Sequence, residues 1–109
     1  MLYMVDTVEV EPADADVYLA IVQTEMAPVM LEAGGTLEHA RRTAKAIGQP
    51  VSVHITWSFA DLPSWNTIRK NLVLDPRWYA CAERLRSMRT GGTRRFYEEA
   101  APERSASRR

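Results

Sequence analysis

Between Val51 and Phe59 the chain alternates apolar and polar residues without a break. Val53, Ile55, Trp57 and Phe59 fall on one side of an extended backbone, and Ser52, His54, Thr56 and Ser58 on the other. Side chains of a strand point to opposite faces in turn, whereas a helix needs its apolar residues three and four apart. The run therefore predicts a strand with one buried face. Its β-branched and aromatic residues suit a pleated, half-buried surface. Such a strand needs partner strands beside it and a layer over its apolar face, which excludes an all-helical fold.

The flanking segments supply both. Tyr3 to Val10 reads as a second strand, with Tyr3, Val5 and Thr7 on one side and Met4, Asp6 and Val8 on the other, ending at Glu11-Pro12. Asp14 or Asp16 is placed to cap a helix. Leu19, Val22, Met26 and Val29 make its apolar stripe. Pro28 removes a backbone donor and predicts a kink or break, and Gly34-Gly35 closes the segment. Asp61 or Ser64 opens a helix carrying Trp65, Ile68 and Leu72. Asp75-Pro76 is a helix start of the N-cap-then-proline kind. It leads into the stripe Trp78, Cys81, Leu85 and Met88, which Gly91-Gly92 is expected to stop. Thr93 to Glu98 reads as a last strand. Leu37 to Ile47 fits two patterns. Leu37, Ala40, Ala44 and Ile47 match a helical face, while His39, Arg41, Thr43 and Lys45 would share one side of a strand, with Gly48-Gln49-Pro50 as a turn.

A chain of 109 residues is one domain, here 1–99, with a frayed Ala-, Ser- and Arg-rich tail at 100–109. A domain this small buries only roughly 60–65% of its unfolded surface, so association would help it. The formal net charge is zero, but residues 1–33 hold seven acids and no Lys or Arg, and from Arg77 onward the balance is basic. Without a basic excess, nucleic acid is not an expected partner. Cys81 is the only cysteine, so neither an intrachain disulfide nor a cysteine zinc site is expected. No apolar run approaches a membrane span, and Met1 to Val10 lacks the pattern of a signal peptide. The expected location is cytoplasmic.

The chain also resembles the NIPSNAP family of the dimeric α+β barrel superfamily. Met1-Leu2-Tyr3-Met4-Val5-Asp6-Thr7-Val8 is similar to that family's first strand, with Thr7 at a recurrent threonine. Trp57-Ser58-Phe59-Ala60-Asp61-Leu62 is similar to its aromatic strand end, and Leu74-Asp75-Pro76-Arg77-Trp78 to its Asp-Pro-x-Trp helix start. The resemblance spans residues 2–98. It implies a ferredoxin-like β-α-β-β-α-β sandwich with an antiparallel sheet, and it implies that Leu37 to Ile47 is a strand. It further implies a homodimer whose sheets pack face to face around a cleft. Two positions depart from the family pattern: Asp6 stands where an arginine is frequent, and Ile55 where a histidine often precedes the tryptophan by two residues. The superfamily includes cyclases, isomerases, lyases and cofactor-free monooxygenases.

His54 leads the candidate site residues. It shares a face with Ser52 and Thr56, and neighbouring first and third strands would bring Asp6 to that face, along with Met4 and Val8. A carboxylate orienting an imidazole makes a general base near neutral pH. Ser52, Thr56 or Arg41 would hold the oxyanion that forms, with His39 and Tyr3 as further contacts. The plainer reading is a histidine bonded within a dimer interface, and His39 and Arg41 as a solvated edge-strand pair. Trp57, Trp65 and Trp78 read as core. No metal site or cofactor is expected. Two functions follow: a cofactor-independent enzyme acting on a small, largely apolar carbonyl or aromatic substrate at the sheet interface, or a non-catalytic dimeric module binding a small ligand or a protein.

Overall fold

In the computed structural model, residues 1–46 and 48–99 are described. Along the chain they form β1 (Leu2–Val10), α1 (Ala15–Ile21), α2 (Ala27–Ala33), β2 (Thr36–Arg42), β3 (Val51–Phe59), α3 (Leu62–Val73), α4 (Pro76–Arg86) and β4 (Arg89–Glu98). The strands make one sheet in the order β2-β3-β1-β4, every neighbour antiparallel. All four helices lie on one side of it, giving the expected ferredoxin-like α+β sandwich. The alternating run is β3, an interior strand. Its odd-numbered residues are buried, from Val53 at 0% exposed to Ile55 at 3%.

Residues 36–42 are extended, as the resemblance implied and helix propensity did not. β2 pairs along β3 with a bulge between Leu37 and His39. Pairing supplies backbone hydrogen bonds that alanine's modest helix preference cannot outweigh. The strand is shorter than expected: Thr43 to Ala46 are irregular, and Ile47 and the 100–109 tail lie outside the described residues. Asp16 fastens this end to α1 by accepting from Arg42 (2.8 Å) and Lys45 (3.3 Å). Those cations hold its carboxyl below the usual range. Neither Asp14 nor Asp16 caps α1 with its side chain; Asp14 flanks the helix without a side-chain bond to it.

Pro28 does not break the first helical run. The turns just before it, Val22–Met26, widen to π-helical spacing. A wider turn absorbs the missing donor and the ring's bulk without ending the helix. The run ends at Gly34, whose φ of +113° is left-handed and whose N–H donates to the Met30 carbonyl at 3.0 Å. Gly35 follows for a packing reason: a β-carbon there would sit 2.6 Å from the Phe59 ring and 2.7 Å from the Met30 sulfur.

Asp61 caps α3 through the Ser64 N–H (2.8 Å), and Asp75 caps α4 through the Arg77 N–H (2.9 Å). Gly91-Gly92 does not stop that helix. α4 ends near Arg86, and the glycines lie inside β4 opposite Glu9 and Val8, beside a register shift at Glu9/Val10. Glycine in a strand fits such a bulge and close backbone approach; a β-carbon on Gly92 would meet the Thr7 carbonyl at 3.0 Å.

Candidate binding cleft

Antiparallel register decides which residues share a face, because directly paired residues point the same way. In β1, Asp6 pairs with Ile55, and Thr7 with His54. Asp6 therefore points toward the helices and His54 away from them, so the expected His54–Asp6 dyad does not form. The even-numbered residues of β1 go with Asp6: Met4 is 0% exposed and Val8 4%, both in the helix-covered core and not on the open face where they were expected.

On the helix side, Asp6 sits over a cleft. Arg94 of β4, paired directly with Asp6, donates to both carboxylate oxygens at 2.7 and 3.1 Å. The Asp6 side chain is only 16% exposed. Tyr18 reaches the same place from α1 and is itself buried. Burial pushes its phenol above the ordinary value; Asp6 adds to this, while Arg89 and Arg94 oppose it. The phenol is thus neutral, and a donor, at neutral pH.

Below these groups Val22, Met26, Ile55, Trp57, Trp78 and Leu85 form the apolar wall of an inner volume of about 160 Å³, whose other side is Asp6, Tyr18 and the arginines. The widened π-helical turn carries Val22 and Met26 to its wall. Trp57 and Trp78 meet edge to face, ring centres 5.9 Å apart. Trp57 and Trp65 are core as expected, but Trp78 is only half-buried, since it also lines the cleft. Toward solvent the space widens into a polar outer lobe of about 680 Å³, between Tyr18, Arg86, Arg89, Arg94 and the glycine pair of β4. Asp6, Tyr18, Arg86, Arg89 and Arg94 border both volumes.

Among the described residues, no helix lies on the opposite face of the sheet. That face collects every other residue expected at a site. Arg41 pairs with His54, and His54 with Thr7; His39 pairs with Thr56, and Thr56 with Val5. Ser52 lies on the same face of β3, and Tyr3 pairs with Ser58 on one side and Tyr97 on the other. The Ser58 hydroxyl donates to Glu38 at 2.5 Å. Partial burial pushes the Tyr3 phenol up, helped by the nearby carboxylates of Glu99 and Glu38. This face is a polar surface with a few apolar residues, and among the described residues no carboxylate orients His54. Nor does any group of three His, Cys, Asp or Glu there form a metal-ligating cluster. Cys81 is buried; burial, with Glu25 nearby, pushes its thiol up, which keeps it unreactive.

Tyr18, Arg89 and Arg94 were not anticipated. Tyr18 is four residues before Val22, so it belongs to the same helix face as the cleft wall, and that spacing could have found it. Arg94 could be matched to Asp6 only with the β1–β4 register in hand.

An antiparallel four-stranded sheet under one layer of helices is the ferredoxin-like α+β class. Solved structures share this fold. The chain superposes with a TM-score of 0.77 on an uncharacterized NIPSNAP domain protein from Burkholderia xenovorans, at 23% identity over 93% of this chain and 96% of that one. A NIPSNAP family protein of unknown function from Agrobacterium tumefaciens gives 0.73, at 22% identity over 92% and 88%. An antibiotic biosynthesis monooxygenase gives 0.61, at 11% identity over 93% and 100%. The chain has the fold of these proteins. No family model and no curated protein matches it. No helix among the described residues is long and apolar enough to cross a membrane.

Proposed function

We propose that this protein binds a small, largely apolar carbonyl or aromatic molecule in the cleft between helices and sheet, and moves a proton on it with its own side chains. The observation that carries this reading is the cleft itself: an apolar floor with two tryptophans, topped by a neutral buried phenol and a carboxylate. Apolar pockets with a few convergent polar groups are the usual form of small-molecule sites. Asp6 would take a proton from the carbon next to a carbonyl. The C–H electron pair then becomes an enolate, whose oxygen accepts a hydrogen bond from Tyr18. The likeness to an antibiotic biosynthesis monooxygenase is consistent with chemistry in this fold, although fold alone does not set function.

The test is solvent deuterium exchange into 2-indanone, a small ketone with acidic α-protons, followed by NMR. The expected result is exchange faster than in buffer, with Asp6→Asn and Tyr18→Phe each losing most of it. Acceleration that survives in both variants overturns the assignment. A second reading, binding without turnover, is favoured by Arg94, which already occupies both Asp6 oxygens. Bound 2-indanone with no accelerated exchange would select it.

The open sheet face is read as a two-fold dimer surface. β4 is largely exposed on both faces, with Phe96 and Tyr97 46% and 49% exposed, and an uncovered strand of this kind invites a partner. With Met4 and Val8 in the core, the apolar part of that contact falls to residues such as Val5 and Tyr97. Light scattering should give twice the chain mass of 12.4 kDa; a monomer at micromolar concentration would refute the dimer.

A further inference from the structure

We infer that the molecule this cleft takes is a small aromatic carboxylate, its ring against Trp78, with Trp57 behind it, and its anionic group at Arg89. The inference rests on the cleft being the binding site and adds the ligand's class.

Size comes first. An apolar cavity of about 150 Å³ accepts one benzene ring, and the inner cleft, open on its polar side, offers a similar volume of about 160 Å³. Aromatic walls favour a flat ring through edge-to-face and offset contacts. The inner volume then has no room for a long chain, and any polar substituent must emerge into the outer lobe.

Charge comes second. The charged groups bordering both volumes are Asp6, Arg86, Arg89 and Arg94. Asp6 and Arg94 neutralise each other through two hydrogen bonds. Arg86 is paired with Glu83. Arg89 has no carboxylate partner among the described residues; its close polar neighbour is the Tyr18 phenol. One unmatched guanidinium therefore stands where the apolar floor meets the open lobe. It presents planar donors that fit a carboxylate, and the adjoining low-dielectric wall strengthens its field. One unmatched positive charge fits a monoanion better than a phosphate dianion. Gly92, also bordering the outer lobe, adds no side chain to obstruct the approach.

The test is calorimetric titration of the full chain with phenylacetate, its neutral isostere phenylacetamide, and phenyl phosphate. Phenylacetate should bind about tenfold or more tightly than phenylacetamide, the expected gain from a charge-assisted hydrogen bond. Arg89→Gln should erase that preference, leaving acid and amide to bind within about twofold of each other, and an unchanged circular dichroism spectrum and melting temperature show that the variant is folded. Arg89→Lys should keep most of the preference. Equal binding of acid and amide overturns the inference but leaves the cleft reading standing. Tighter binding of phenyl phosphate, or a preference that survives Arg89→Gln, also overturns it. Binding of none of the three overturns both.

Discussion

The two faces of this sheet are written by the same alternation and do opposite work. Along β3, Val53, Ile55 and Trp57 go under the helices, while His54 and Thr56, between them, stay on the uncovered side. The helix-covered face of β1 and β4 is not purely apolar. It carries the Asp6–Arg94 pair, with Tyr18, Arg86 and Arg89, at the mouth of a cleft whose inner wall is apolar. The open face has more polar side chains, and no helix of the described residues covers it. Polar residues on a surface are ordinary; polar residues beside a cavity are where binding can be specific.

Adjacent residues of one strand give the widest contrast. Trp57→Ala should cost about 3–5 kcal/mol, as for other buried aromatics. Thr56→Ala, one residue away on the open face, should stay within about 0.5 kcal/mol in the isolated chain. Chemical denaturation of both variants measures the difference, and similar losses would mean that the faces are not distinct.

A smaller effect is expected at Gly35→Ala. The new methyl must displace Phe59 or Met30, an overpacking cost of about 1–3 kcal/mol. A neutral result would show that the junction between α2 and β2 is looser than its contacts imply.

The smallest effect is electrostatic and away from both faces. The Arg77 side chain and backbone N–H hold the Asp75 carboxyl below its usual range. Its stabilising effect is therefore present at neutral pH and is lost as pH falls through the acid range below about 4. Asn caps a helix nearly as well as Asp. Asp75→Asn should thus keep the helix and flatten the acid limb of a stability–pH profile. An unchanged acid limb would remove Asp75 from the set of groups that sense acid.

Element types were legible because they are local properties. The period of two in β3, the Asp75-Pro76 start and the stripe at Trp65, Ile68 and Leu72 each reflect near neighbours in the chain. Residues 36–42 were legible only by resemblance, because pairing with β3 decides them and alanine points elsewhere. Facing was the main miss. Alternation in β1 sorts Asp6 with Met4 and Val8 correctly, but it does not say which set faces the helices. Setting that group beside His54 put Asp6 on the wrong side. Gly91-Gly92 misled in the same way: the pair looks like a helix stop, yet it is a strand segment held close to the β1 backbone. What the sequence left out was the register between β1 and its two neighbours, which is a contact between distant segments.

Whether ligands enter on the helix side is directly measurable. In a two-dimensional NMR titration of the full chain with 2-indanone, the indole N–H signals of Trp57 and Trp78 should shift together and saturate, while the ring signals of His54 stay in place. Saturable shifts at His54 with silent tryptophans would put the site on the open face and contradict the assignment.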